Sequence, residues 1–481
     1  MPRWCRSCWR GSCSNEQMSR DSRHRVVHLP AMSWKRVRDH SALKWLYPGM
    51  HIKRWLVLLL FGVVLMGLGI AYILREAYLQ APLPGIFYYL TLQFIPRWMR
   101  GLLFITASLG TVGLAVYKLN QSLLYAFVRP DWREQNLAEA IYAKRFLSRG
   151  PKIVAIGGGT GLSTLLRGLK NYTSNLTAIV TVADDGGSTG RLRQEFGVVA
   201  PGDLRQCIAA LAEAEPLMSK LFQYRFTAGT GLEGHSFGNL FIVAMSEVTG
   251  NFEAAIHEAS RVLNVRGTIL PSTLEDVTLS ARTHEDEVVH GEHNITERGA
   301  AIREVYLNPP DAEAHPDAVR AILDADMVVI GPGSLYTSVL PNLLVEGIRK
   351  AVQQTSALRV FVCNVATQHG ETDGFGVAEH VEALERHAGQ GIVQVVLANN
   401  NIAPELPEAW HAEAVRVSME KLQAHPGIRV IEADVVAEEN RYRHDPHKLA
   451  ATIMRLYDQR DTLNLASRRA LSPEEPVALV R

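Results

Sequence analysis

Hydrophobic spacing divides the 481-residue chain into regions of different kinds. Trp55 to Leu74 is an uncharged run of 20 residues, WLVLLLFGVVLMGLGIAYIL. At about 1.5 Å per residue it reaches roughly 30 Å, the thickness of a bilayer's hydrocarbon, so it predicts a spanning helix. Gly101 to Tyr117, extending toward Val128, predicts a second span. It is shorter and richer in small and hydroxyl residues, so a re-entrant or packed segment is the alternative. Trp98, Tyr117 and Tyr125 suit interface positions. From Lys152 short apolar runs alternate with helical periods, as in a parallel sheet covered by helices. The runs are KIVAIG, LTAIVTVA, ADMVVIG, ALRVFVCNV, IVQVVLA and IRVIEADV. Helices are predicted over 161–170, 203–213, 237–249, 252–263, 342–354, 377–386 and 446–457. Val277 to Leu307 reads as short hairpin strands inserted in that scheme. The expected organisation is a weakly structured leader (1–54), a membrane hairpin (55–128), one α/β domain with a doubly wound, mostly parallel sheet (150–460) and a tail (461–481).

Charge adds orientation. The net charge of +1 is a cancellation. Residues 1–54 hold 12 Lys/Arg against three Asp/Glu, a net +9; the remainder holds 38 against 46, a net −8. The segment from Arg75 to Arg100 carries only three basic residues, so the positive-inside rule puts the N-terminus and the main domain on the cytoplasmic side of the inner membrane. An acidic main domain argues against nucleic acid as a partner. Five cysteines exclude a disulfide scaffold, and Cys207 and Cys363 suit a reducing compartment. Cys5, Cys8 and Cys13 have a metal-like spacing but need His24 or His28 as a fourth ligand, so a basic leader is the preferred reading.

Ligands of doubly wound sheets bind beyond the strands' carboxyl ends, so each strand-end loop is a candidate. After the first strand come Gly158, Gly159, Thr160 and Gly161, opening a helix whose N–H groups can hold a phosphate. The Lys of a P-loop is absent, and so is a clean G-x-G-x-x-G. After the second stand Asp184 and Asp185, then a glycine loop containing Ser188. These carboxylates can bind a metal, a ribose or base, or cap a turn. Asp203 reads as a helix cap, with Arg205 in the first turn, where a cation favours an anionic ligand over the helix dipole. His235 precedes an apolar helix with Ser236 as N-cap and Asn239 three positions on; His235 is an acid/base or phosphate candidate. Gly333 and Ser334 form a second strand-end glycine loop, with Tyr336 beyond it to stack on a base or bond a phosphate. Asn364 ends a strand before a polar loop of Gln368, Glu371, Thr372 and Asp373. Two glycine loops on one sheet edge suggest an elongated ligand with a phosphate or diphosphate.

Together these motifs resemble one family. GGGTGLSTLLRGLK, VTVADDGGSTGRLR, GDLRQCIAAL, GHSFGNLFI, LPSTLEDVTLSA, GPGSLYTSVLPNLLV and NVATQHGETDGF are similar, in order, to the gluconeogenesis factor (YvcK-like) branch of the 2-phospho-L-lactate transferase (CofD-like) superfamily. The resemblance covers roughly 150–458. The membrane hairpin lies outside it and reads as an addition in this chain. The resemblance implies a Rossmann-like fold, UDP-sugar binding (notably UDP-N-acetylglucosamine) and a role in carbon balance, cell shape and cell-wall supply. It implies a diphosphate held by the loops at Gly158–Gly161 and Gly333–Ser334, and Tyr336 at the uridine or sugar-phosphate end. Arg443, within ENRYRHDPHKLA, is expected to close over the diphosphate, since Arg gives bidentate phosphate contacts. The transferase branch meets a deazaflavin with an Asp matching Asp184 or Asp185, which with His235 are the catalytic candidates if transfer chemistry survives. A nicotinamide oxidoreductase is disfavoured by the broken fingerprint. No cofactor is required by this reading; a divalent metal and a homodimer stay open.

Overall fold

The computed structural model describes residues 52–80, 85, 89, 92, 94–127, 147–213, 216–403, 411–425 and 427–463. The leader's cysteines and most of the expected tail lie outside the described residues. The chain forms two compact units, 1–83 and 84–481.

In the first unit, α1 runs over Ile52–Gln80. The second contains α2, Arg97–Phe127, and the α/β body. Both apolar segments are helical, as their sequences predict. Side chains are described over 61–73, 75 and 76 of α1 and 98–114 of α2, and nearly all of them are exposed, Met66 and Ile73 at 62% and 72%. Among the described residues, no helix is long and apolar enough to cross a membrane, so the expected pair of spans is not found there.

Among the described residues the α/β body holds ten strands: β1 Ile153–Gly157, β2 Leu176–Val180, β3 Thr268–Pro271, β4 Thr278–Thr283, β5 Val288–His290, β6 Ile302–Asn308, β7 Met327–Ile330, β8 Leu358–Val362, β9 Val395–Asn399 and β10 Arg429–Ala433. Its helices are α3 Gly159–Leu169, α4 Gly187–Phe196, α5 Gly202–Leu211, α6 Pro216–Gln223, α7 Phe237–Thr249, α8 Phe252–Val262, α9 Glu292–Arg298, α10 Pro316–Leu323, α11 Leu340–Leu344, α12 Glu346–Gln354, α13 Val377–Ala388, α14 Met419–Leu422 and α15 Pro446–Asp458.

Seven strands form one sheet in the order β10-β9-β8-β7-β1-β2-β3, every pair parallel. The six runs read as strands are all in it. β1, β7 and β9 are buried at every residue, which explains their unbroken apolar sequences: a strand covered on both faces needs no polar alternation. The seventh strand, β3, escapes a sequence reading because TILP is short, follows Gly267 and ends on proline. β4, β5 and β6 form the separate antiparallel sheet expected of the insertion.

Helix signals are local and legible. In α3, Leu162, Leu165, Leu166 and Leu169 make the buried stripe. Ser236 caps α7 by accepting the Asn239 N–H, and Asp445 caps α15 through the N–H groups of His447 and Lys448. The single helix predicted over 342–354 is instead split between α11 and α12, and a π-helical turn, Leu335–Val339, precedes them. The break is Val345, whose backbone is extended at φ −68°, ψ 111°.

Candidate functional site

The sheet reverses its winding between β1 and β7. From β1 the chain proceeds to β2 on one side; from β7 it proceeds to β8 on the other. Loops leaving two such neighbours diverge and open a crevice. A cavity of about 370 Å³ lies there, lined by both glycine loops and by Asp184, Asp203, Glu292, Asn364, Gln368, Tyr442 and Arg443.

The loop after β1 carries two constraints that only glycine meets. Gly159 has φ +60°, the left-handed region. At Gly161 a Cβ would stand 2.5 Å from the Pro332 carbonyl oxygen and 2.8 Å from Gly333 Cα, so the two loops pack directly on each other. The α3 N-cap is Gly158, which supplies no side-chain oxygen. The Gly159 N–H donates to the Asp203 carboxylate, and the Thr160 and Gly161 N–H groups open the helix, where the first turn has no intrahelical acceptors.

The second loop is braced from behind. Asn364 grips the Gly333 peptide twice: its Oδ1 accepts from Gly333 N at 3.3 Å, and its Nδ2 donates to Gly333 O at 2.9 Å. Ser334 Oγ donates to Gln368 Oε1 at 2.6 Å, and Gln368 Nε2 donates to Glu371 Oε1 at 2.7 Å. The buried Glu371 also accepts from Thr337 Oγ1 at 3.0 Å and Tyr336 N at 3.3 Å. Burial pushes its carboxyl up to about 7. The protein's own carboxylate therefore fills the helix start behind this loop. Tyr336 is a correction to the sequence reading. It is 1% exposed, off the cavity wall, with its ring edge-on to Phe375 and His387 at 6.4 and 5.9 Å. The π-helical turn directs it into the core.

The Asp184–Asp185 pair also divides. Asp184 faces the cavity, its Oδ1 accepting from Gly186 N at 2.9 Å, with a further bond from Thr189. Asp185 is off the wall: its Oδ1 accepts from His293 N at 2.9 Å and so holds the start of α9. That helix presents Glu292 to the cavity. Asp203, read from sequence as a cap of α5, turns away from that duty; the N-cap is Pro201, without a side-chain bond. Three carboxyls thus converge in the cavity, Asp203 against Gly158 and Gly159 of the first glycine loop. Burial, then the Asp184 charge, pushes Asp203 up to about 7 and Glu292 up to about 8. Burial also raises Asp184. Among the described residues, no group of three or more His, Cys, Asp or Glu could hold a metal ion.

Four further candidates form a chain off the cavity wall. Arg205 Nε donates to Asn239 Oδ1 at 2.9 Å, Asn239 Nδ2 donates to Ser188 Oγ at 3.2 Å, and Ser188 Oγ meets His235 Nδ1 at 3.0 Å. They tie α4, α5 and α7 together beside the pocket. Burial, then the Arg191 charge, lowers the His235 pKa. These four residues brace the site from beside the cavity wall.

The segment 440–444 also contributes to the cavity wall. Arg441 donates to Asn401 O and Oδ1 at 2.8 and 2.9 Å, and His444 Nε2 lies 3.2 Å from Cys363 O. Burial lowers His444 to about 4, so it is neutral. Between these anchors Tyr442 and Arg443 reach the wall. Arg443 is exposed and makes no ion pair among the described residues. It is the cation of the lining.

Gly158, Gly159, Thr160, Gly161, Asp184, Gly333, Ser334, Asn364 and Arg443 therefore share one cavity, as the sequence reading required. Sequence reasoning missed Asp203, Glu292, Gln368 and Tyr442 as wall residues. Gln368 and Tyr442 lay within motifs already noted. Glu292 sits on the insertion, where no strand-end rule points to the site.

Fold and site define a Rossmann-like α/β protein with its pocket at the switch point of the sheet. The 2-phospho-L-lactate transferase CofD family model matches residues 153–436. The gluconeogenesis factor of Bacillus subtilis is 46% identical over 315 residues, 64% of this chain and 99% of its own. A Nostoc sp. relative is 43% identical over 457 residues, 92% of this chain and 96% of its own. A crystal structure of a UPF0052-family protein from Bacillus halodurans superposes with a TM-score of 0.60 at 45% identity, covering 64% of this chain and 99% of that one. The chain belongs to the gluconeogenesis factor (YvcK-like) branch of the CofD family. The Nostoc match covers more of the chain than residues 150–481 can supply, so the N-terminal extension is partly shared with that relative, not an addition peculiar to this chain.

Proposed function

We propose that the switch-point pocket binds a nucleotide diphosphate sugar of the UDP-N-acetylglucosamine type, and that the protein is a ligand-responsive regulator of carbon balance, cell shape and cell-wall precursor supply. The observation that carries this reading is Arg443, an exposed guanidinium without an ion-pair partner among the described residues, on the same cavity wall as the open first turn of α3. An Arg fork and backbone N–H groups are a fitting pair of donors for a diphosphate. Titration calorimetry with UDP-N-acetylglucosamine tests it. Wild type releases binding heat, and Arg443→Ala weakens affinity by about 10-fold or more, the worth of a charge-assisted bond. Silence from wild type removes the reading.

A second reading rests on the carboxyls of Asp184, Asp203 and Glu292 and on the family match: transfer of a phospholactyl-type group to a deazaflavin-like acceptor. Turnover of such an acceptor, with and without a divalent metal, and its loss in Asp184→Asn, favours that reading.

We further propose attachment to the inner membrane with the domain on the cytoplasmic side. The exposed apolar side chains of α1 and α2 and the +9 leader support it. Partition of the full chain into a carbonate-washed membrane fraction, lost on removal of 1–130, is the expected outcome.

A further inference from the structure

We propose that α9 is a strap between the β2 and β8 loops and that it presents Glu292 as the residue that reads the sugar of the bound ligand. The proposal rests on the nucleotide-sugar reading above and names a specificity-determining residue within it.

The strap is fixed at both ends. At its start, Asp185, in the loop after β2, accepts the His293 N–H at 2.9 Å. Gly291 sits so close that a Cβ there would stand 2.5 Å from Asp185 Oδ2, and its φ of +94° also calls for glycine. Arg193 adds a second tie to the insertion, donating to Asp184 O at 3.0 Å and to Val277 O at 2.8 Å. At the other end, a Cβ on Gly370, in the loop after β8, would stand 2.6 Å from Cα of Gly299, the C-cap of α9. β2 and β8 are separated by β1 and β7, so three strand steps of about 4.8 Å put them roughly 14 Å apart. The seven-residue helix supplies about 10 Å of that span. The insertion thus ties together loops that the sheet alone leaves diverging.

Among the described residues, Glu292 alone of the insertion lines the cavity, and its carboxyl has no hydrogen-bond or ion-pair partner there. A Glu at a helix start ordinarily serves the helix dipole. Here Asp185 already takes the His293 N–H, so that task is met and Glu292 is left for the cavity. Burial, then the charges of Asp184, Asp203, Glu371 and Asp185, pushes it up to about 8, so at pH 7 it is mostly protonated. A protonated carboxyl both donates and accepts, as a ring hydroxyl does. Arg443 and the Thr160 and Gly161 N–H groups are the partners for phosphates. Glu292 suits what the phosphates carry, a ring rich in hydroxyls, and the clamped helix holds it in place before ligand arrives.

The test is calorimetry on the full chain at pH 7 with two probes, UDP-N-acetylglucosamine and UDP. Glu292→Ala is expected to weaken UDP-N-acetylglucosamine about 3- to 10-fold, the worth of one hydrogen bond, and to leave UDP within about twofold. Glu292→Gln, which still donates and accepts, is expected to bind like wild type. Asp185→Ala frees the strap and is expected to reproduce the loss for the sugar nucleotide. Asp185→Asn keeps an acceptor for the His293 N–H and is expected to restore it. Unchanged UDP-N-acetylglucosamine binding by Glu292→Ala overturns this inference alone. Equal loss of both probes overturns it too, since the residue would then shape the phosphate site. Wild-type binding by Asp185→Ala overturns the strap. Wild type that binds neither probe overturns the nucleotide-sugar reading together with it.

Discussion

The two glycine loops at the switch point look alike in sequence and differ in what stands behind them. Behind the loop after β1, Gly158 offers no cap, and Asp203 takes only the Gly159 N–H, leaving Thr160 and Gly161 open. Behind the loop after β7, Glu371 already takes Tyr336 N and Thr337 Oγ1, and Gln368 links Glu371 to Ser334. Each loop thus meets a carboxyl of the protein, but the first keeps the Thr160 and Gly161 N–H groups at the start of an 11-residue helix for an anion. In the proposed reading the first loop is the phosphate cradle and the second is its rigid wall.

The largest effect on this contrast is expected where the loops touch. Gly161→Val places a branched side chain against Pro332 and Gly333. Overpacking of this kind costs about 1–3 kcal/mol and here also fills the cradle, so UDP-N-acetylglucosamine binding is expected to vanish in calorimetry. Retained binding would mean that the loops separate freely and the cradle is elsewhere. Next comes Glu371→Ala, which leaves Tyr336 N, Thr337 Oγ1 and Gln368 Nε2 without their acceptor. The expected loss is about 1–3 kcal/mol in urea unfolding, with Glu371→Gln losing less. Ligand affinity of the folded fraction should change little. A large affinity loss with intact stability would move Glu371 from bracing the wall to meeting ligand.

How much of this was legible in the sequence depended on locality. The six apolar strands and the caps Ser236 and Asp445 follow from neighbouring residues, so spacing and residue type reveal them. Eight of the nine pocket residues that were found follow strand ends, where the parallel topology collects loops; the ninth, Arg443, lies just ahead of α15. The failures are tertiary. Tyr336 follows the glycine loop as a ligand residue would, yet the π-helical turn aims it inward. Asp185 stands beside Asp184, but successive residues diverge after a strand, and it meets α9 instead. Glu292 reaches the site from an insertion separated by more than a hundred residues from Asp184, and no local pattern announces that approach.

The contrast between the cavity's carboxyls and its cation can be sharpened by pH. Asp203 and Glu292 titrate near 7 and 8, so below pH 6 both are neutral and a diphosphate meets little repulsion. As pH rises from 6 to 9 both ionise, and affinity is expected to fall; Asp203→Asn should flatten the lower half of the fall. Were a divalent metal the partner of these carboxyls, affinity would instead rise with pH and need the metal. Stability moves in the same direction. Both folded pKa values lie above the ordinary carboxyl range, so the folded state holds its protons longer. The associated stability is complete below about pH 4 and is lost as pH passes through 7 and 8.

The smallest effect is expected at Tyr336, and it tests the difference between wall and core directly. Tyr336→Phe keeps the ring edge-on to Phe375 and His387, so the packing of the second loop is preserved. Burial pushes the phenol up to about 12, so it is a neutral hydroxyl at any working pH. Removing that hydroxyl is expected to change stability by less than about 1.5 kcal/mol, the scale of one hydrogen bond, and UDP-N-acetylglucosamine affinity by less than about twofold. Calorimetry beside thermal unfolding checks both. A tenfold loss of affinity at unchanged stability would put the hydroxyl on the ligand, and the inward turn of the π-helix would then have to open when ligand binds.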